Sequence, residues 1–162
     1  MLDDPFKYGL LVALAIALLV AAFTDLKSRR IANWLNGAIA LGAPLFWWAS
    51  EMALWPDIAL QIAMATATFA VLSILFAIKA MGGGDVKLLT AAALWFDLSS
   101  GWKMLVAVAI VGGLVTIVMI AVRHLPWPAT ARTRIVSLRR DEGIPYGVAI
   151  AAGVGLSLSM MR

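Results

Sequence analysis

The 162-residue sequence contains no cysteine and a single histidine, His124. Without cysteine there is neither a disulfide scaffold nor a thiolate metal site, and one histidine leaves a zinc site without partners. Charged residues are scarce as well, at 14%, where a soluble domain carries about a quarter. That is too little polar surface to cover a globule. What fills the chain instead is apolar: 63% of residues are hydrophobic and the mean hydropathy is +0.94. Such a composition excludes disorder, whose signature is the reverse. The net charge of +4 and pI near 9.9 fit basic loops at a membrane surface better than a nucleic-acid partner. The expected class is an all-α, polytopic integral membrane protein forming one domain over residues 1–162.

Six apolar runs can be marked out, at residues 8–24, 31–49, 58–78, 86–98, 104–122 and 144–161. The first follows acids rather than a basic start and lacks a small-residue cleavage site, so it reads as a retained helix and not a signal peptide. A spanning helix takes roughly 17 to 25 apolar residues, and the fourth run is short of that. Charge placement argues for its crossing nevertheless, against a five-helix arrangement in which this segment is re-entrant and the Arg-rich loop lies outside. Lys27, Arg29 and Arg30 lie between runs one and two, Lys79 and Lys87 around the junction of three and four, and Arg123, Arg132, Arg134, Arg139 and Arg140 between five and six. Ten of the thirteen Lys and Arg residues thus fall in alternate loops. Short basic loops stay cytoplasmic, which predicts about six transmembrane helices with both termini on the opposite side. The basic loop after run five reads either as an anchor at the membrane surface or as a contact for substrate or anionic lipid. The tryptophans cluster near run ends, as interfacial anchors do.

Two acids stand apart. Asp25 closes the first run and Asp85 opens the fourth, directly after Gly82, Gly83 and Gly84. Ionisable groups at the edge of a span are costly and are functional candidates by default. Asp85 alone has an equally good structural reading, a carboxylate stabilised at a helix N-terminus. In the topology above, both acids sit at cytoplasmic helix ends and can meet. Two carboxylates in a partly dehydrated site share a proton. The ionised member then activates water as a general base, and the protonated member polarises a peptide carbonyl. The same pair suits a proton relay in a small transporter, so position alone does not choose between the two. A structural subunit of a secretion system would account for the hydrophobicity alone.

The local strings add a resemblance. Thr24-Asp25-Leu26-Lys27-Ser28-Arg29-Arg30-Ile31-Ala32-Asn33 resembles the Asp-to-Ile-Pro-Asn segment of type IV prepilin peptidases. Gly82-Gly83-Gly84-Asp85-Val86-Lys87-Leu88 resembles their Gly-x-Gly-Asp-x-Lys-Leu motif, and Ile144-Pro145-Tyr146-Gly147 the opening of their last helix. The three occur in family order. One departure is Ala32, where the family usually has proline. The resemblance implies a six-helix aspartic endopeptidase of the bacterial inner membrane, with Asp25 and Asp85 as the catalytic pair near the cytoplasmic face. It implies that Gly82 and Gly84 shape the loop presenting Asp85, and that Asn33, Lys87, Pro145, Tyr146 and Gly147 belong to the same loop-shaping or substrate-contacting set. Prepilins or pseudopilins are the implied substrates, cut at the end of a basic leader, and pilus assembly machinery the implied setting. The short form resembles the tight-adherence (Flp) branch. The larger members that also N-methylate carry a cysteine-bearing domain, so cleavage without methylation is expected here. Neither a metal nor another cofactor is expected. Lys87 either snorkels or tunes Asp85.

Overall fold

The computed structural model describes residues 5–28, 30–124 and 146–159. Among these every regular element is helical: α1 (Pro5–Ser28), α2 (Asn33–Ala49), α3 (Ala59–Ala77), α4 (Gly83–Ala93), α5 (Leu98–His124) and α6 (Tyr146–Ser159). A π-type turn, Leu54–Ile58, leads into α3. The Arg-rich segment 125–145, including Pro145, and Arg29 lie outside the described residues.

Three stretches are long and apolar enough to cross a membrane: Pro5–Ser28, Leu54–Ala77 and Leu98–Val122. Across the helices the core is apolar, but so is the exterior, and several polar side chains are turned inward. Leu19, Leu41, Ile110 and Ile117 are each about two-thirds exposed or more, while Asp25, Asn36, Gln61, Thr68 and Ser157 are buried. A continuous apolar exterior of this kind is lethal to solubility in water and is what a bilayer solvates. The protein is an all-α membrane protein.

Side-chain contacts give the helix directions. Phe6 at the start of α1 meets Trp48 at the end of α2, with ring centroids 6.2 Å apart, so α1 and α2 are antiparallel. Lys87 reaches Asn33, and Trp47 Nε1 donates to the Leu94 carbonyl (2.9 Å), so α2 and α4 run the same way. A Cβ on Gly153 would stand 2.7 Å from Val108, and one on Gly112 would meet Ala149 and Tyr146, which makes α5 and α6 antiparallel. Successive helices therefore alternate in direction. The start of α2, the ends of α1 and α3, and the starts of α4 and α6 gather at one end of the bundle.

α4 is the exception in length. Its 11 residues measure about 16 Å at 1.5 Å per residue, well short of a hydrocarbon core of about 30 Å. The expectation that this segment spans has to be refined: α4 is a half-length helix lying between α2, α3 and α6, with Val86, Leu88, Leu89, Ala91, Ala92 and Ala93 all buried. The buried residues Trp95 and Phe96 carry the chain further. Gly101, beyond the turn, sits against both Phe96 and Met64 near the start of α3. Backbone that ends a helix at this depth is tolerated because protein encloses it. Trp95 is accordingly a core residue, with its indole N–H on the Ile39 carbonyl (2.9 Å), and not an interfacial anchor. Trp34, Trp48, Trp55 and Trp102 are exposed, as anchors should be.

Two helix ends use left-handed residues that are not glycine. Glu51 (φ 51°) follows α2 and Lys79 (φ 61°) follows α3. In each case the paired bonds of a Schellman motif close the helix: Glu51 N to Trp48 O and Met52 N to Trp47 O, Lys79 N to Phe76 O and Ala80 N to Leu75 O. Asp97 starts α5. It accepts from Ser100 N (2.8 Å) and Ser99 Oγ (3.0 Å), and Ser100 Oγ bonds it too. Burial acts to raise the Asp97 pKa, but these hydrogen bonds and the Lys103 ammonium outweigh it and hold the carboxyl below its usual range.

Candidate active site

Asp25 continues the buried stripe Leu14, Leu18, Ala21 of α1 at helical spacing, and is the one polar member of that stripe. It is 6% exposed. Its Oδ2 accepts a hydrogen bond from the backbone N–H of Gly147 (2.9 Å). That N–H lies in the first turn of α6, where backbone donors have no partner within the helix and the helix dipole favours negative charge. The absence of a side chain at 147 is a requirement. A Cβ there would stand 2.9 Å from both Cβ and Oδ2 of Asp25, closer than packed atoms allow.

Asp85 is 8% exposed and lies in the first turn of α4, three residues after the N-cap Gly82. The Gly82 carbonyl accepts from the N–H groups of Asp85 (3.1 Å) and Val86 (3.2 Å). The Asp85 carboxylate folds back over the glycine: a Cβ on Gly82 would be 2.8 Å from Oδ2. Gly83 lets the turn close on Phe76, at 3.2 Å from the position of a Cβ, and Gly84 lies against Ile31. The triple glycine is thus a packed turn in which position 82 is restricted by the carboxylate itself.

The structure brings the sequence-selected residues to one end of the bundle, in two groups. Asp25 and Gly147 touch, with Tyr146 beside them against Gly112 of α5. Gly82 and Gly84 frame Asp85 at the head of α4, which packs on α6. Asn33 and Lys87 pair separately, Nζ to Oδ1 at 3.0 Å, both exposed. Lys87 projects from the side of α4 roughly opposite Asp85, two residues on at about 100° per residue.

Residues 12–121, more than half of the chain, match the model of the type IV leader peptidase family. The chain belongs to that family. Neither the comparison with curated proteins nor that with solved structures gave a significant match. The family match covers Asp25, Asn33, Gly82, Gly84, Asp85 and Lys87, and ends before Tyr146 and Gly147. The contact between Gly147 and Asp25 ties α6 to the part of the chain on which membership in the leader peptidase family rests. Sequence reasoning missed Asn36 and Thr90, which sit between α2 and α4. Their signal was available, because a polar residue inside an apolar run is itself a flag. It was masked by the stronger motifs on either side.

Proposed function

We propose that this membrane peptidase is an aspartic endopeptidase that removes the basic leader from prepilins or pseudopilins of the Flp type, with Asp25 and Asp85 as its catalytic pair. The observation that carries the reading is the placement of two buried carboxylates at the gathered helix ends, each packed against a glycine at which a Cβ would crowd the carboxylate. Membership in the leader peptidase family supports it. Hydrolysis would proceed with one carboxylate ionised and one protonated. The ionised group takes a proton from water as the water oxygen attacks the scissile carbonyl carbon. The protonated group donates to the carbonyl oxygen. Collapse of the gem-diol intermediate then breaks the C–N bond: the leaving amine takes the proton now held by the first carboxyl, and one gem-diol hydroxyl returns a proton to the second carboxylate, which frees the carboxylic acid product and restores the pair. The Gly147 N–H keeps Asp25 in one orientation through this cycle.

In this reading the active end faces the cytoplasm, because Lys27, Arg30, Lys79 and Lys87 all belong to it. The leader is basic and so is this end, so charge attraction does not select the substrate. The substrate's apolar segment does, through contact with the helices. The reading includes a product with a free, unmethylated amine, as the resemblance to the Flp branch implies. The test is to incubate purified protein in detergent with an Flp-type prepilin and weigh the product. A mass equal to the mature pilin, with no added methyl group, is expected. An intact prepilin after prolonged incubation with well-folded protein overturns the reading.

A further inference from the structure

A cleft of about 340 Å³ opens between α2 and α4. It lies on the side of α4 away from Asp85: Lys87, Thr90, Ala91 and Leu94 line it, and at about 100° per residue all four fall in the half of the helix opposite residue 85. It is therefore distinct from the carboxylate pair. Its lining is graded. At the bundle end stand Asn33 and Lys87, exposed and bonded to each other. One turn deeper are Asn36 and Thr90. The Asn36 side chain is only 6% exposed, yet neither its Nδ2 nor its Oδ1 has a hydrogen-bond partner among the described residues, and the Thr90 hydroxyl likewise has none. Deepest are the small and apolar residues Ala40, Ala91 and Leu94.

Buried amides and hydroxyls without partners are costly, at about 1–3 kcal/mol each, so a ligand that supplies partners is favoured at this depth. Lys87 spends one of its three ammonium donors on Asn33, and no acid is among the lining residues. Among the described residues the cleft thus carries one positive charge at its mouth with no acid beside it in the lining, hydrogen-bonding groups midway, and an apolar floor. A phospholipid has this order of chemistry: phosphate, glycerol ester, acyl chain. We propose that the α2–α4 cleft is a binding site for one anionic phospholipid. Lys87 takes the headgroup phosphate, the Asn36 amide and Thr90 hydroxyl take the glycerol and ester oxygens, and the acyl chain lies over Ala40, Ala91 and Leu94. Basic pockets between transmembrane helices are suited to such headgroups.

The purified full-length protein is titrated with phosphatidylglycerol and with phosphatidylcholine of identical acyl chains, and bound lipid is counted by native mass spectrometry. The wild type should retain phosphatidylglycerol with roughly fivefold preference. Lys87→Gln should remove the preference, and Asn36→Leu or Thr90→Leu should lower retention of both lipids by blocking the cleft. Equal retention of the two lipids by the wild type, or an unchanged preference in Lys87→Gln, overturns the proposal. So does displacement of the lipid by excess inorganic phosphate, which would make the site a free-anion site. A photo-crosslinker placed at Gly37 should label lipid in native membranes. Capture of a polypeptide there instead would contradict the assignment and make the cleft a protein-docking groove.

Discussion

At the scale of residues, the account turns on two glycines that leave room for two carboxylates. Gly147→Ala retains the backbone N–H that Asp25 uses, but its methyl group would sit 2.9 Å from Oδ2. Asp25 then has to move. A displacement of about 1 Å in a catalytic group costs on the order of a hundredfold in rate, so Gly147→Ala should lose about that much leader cleavage while still inserting and folding. A kinetic assay beside a detergent-stability measurement separates the two effects, and full activity in Gly147→Ala would show that Asp25 is not held in this way. Asp25 and Asp85 were legible in the sequence because each is an isolated acid at the edge of an apolar run. The reason for Gly147 was not. It depends on a contact between residues 122 positions apart, and no local pattern encodes that.

At the scale of elements, the helix ends carry their own predictions. Glu51 adopts φ 51° in the turn after α2, a conformation that costs a side chain about 1 kcal/mol or more and glycine little. Glu51→Gly should therefore stabilise the protein by roughly 0.5–1 kcal/mol, read as a raised midpoint of thermal unfolding in detergent. A lowered midpoint would mean that the Glu51 side chain contributes more than its backbone strain costs. Asp97 caps α5, and Asp97→Ala should cost about 1 kcal/mol near neutral pH. Its folded pKa lies below the ordinary value of 3.8. The stability it contributes is therefore present above that value and is lost as pH falls through the lower, folded-state value. The gap between wild type and Asp97→Ala should be constant from about pH 7 to about pH 5 and close only below about pH 4. A gap that closed near neutrality would contradict the assignment. Element boundaries were legible where apolar runs end in charge, as at residue 79. The fifth helix starts at Leu98 and not at residue 104, because Asp97, Ser99 and Ser100, polar as they are, build the cap that begins it.

At the scale of the whole molecule, the alternation of basic and non-basic loops carried the architecture, and the helices do alternate in direction. The shortness of the fourth run was legible; what the pattern did not contain was the enclosure of α4. An 11-residue helix is stable there only because three neighbours enclose it, and enclosure is a property of the assembled bundle. The proposed orientation is tested by reporter fusions at Arg134 and Arg162, which should fall on opposite faces of the membrane, with Arg134 cytoplasmic. A periplasmic signal at Arg134 would remove the cytoplasmic placement of the aspartates. The most direct measurement of the central claim is leader cleavage by Asp25→Asn and Asp85→Asn, compared with the wild type and with Asp57→Asn on the opposite face. An amide keeps the shape of each side chain and removes its proton chemistry. Each single variant should insert normally and lose cleavage, the double variant should be no worse than either, and Asp57→Asn should cleave like the wild type. Robust cleavage by either Asp25→Asn or Asp85→Asn would contradict the account.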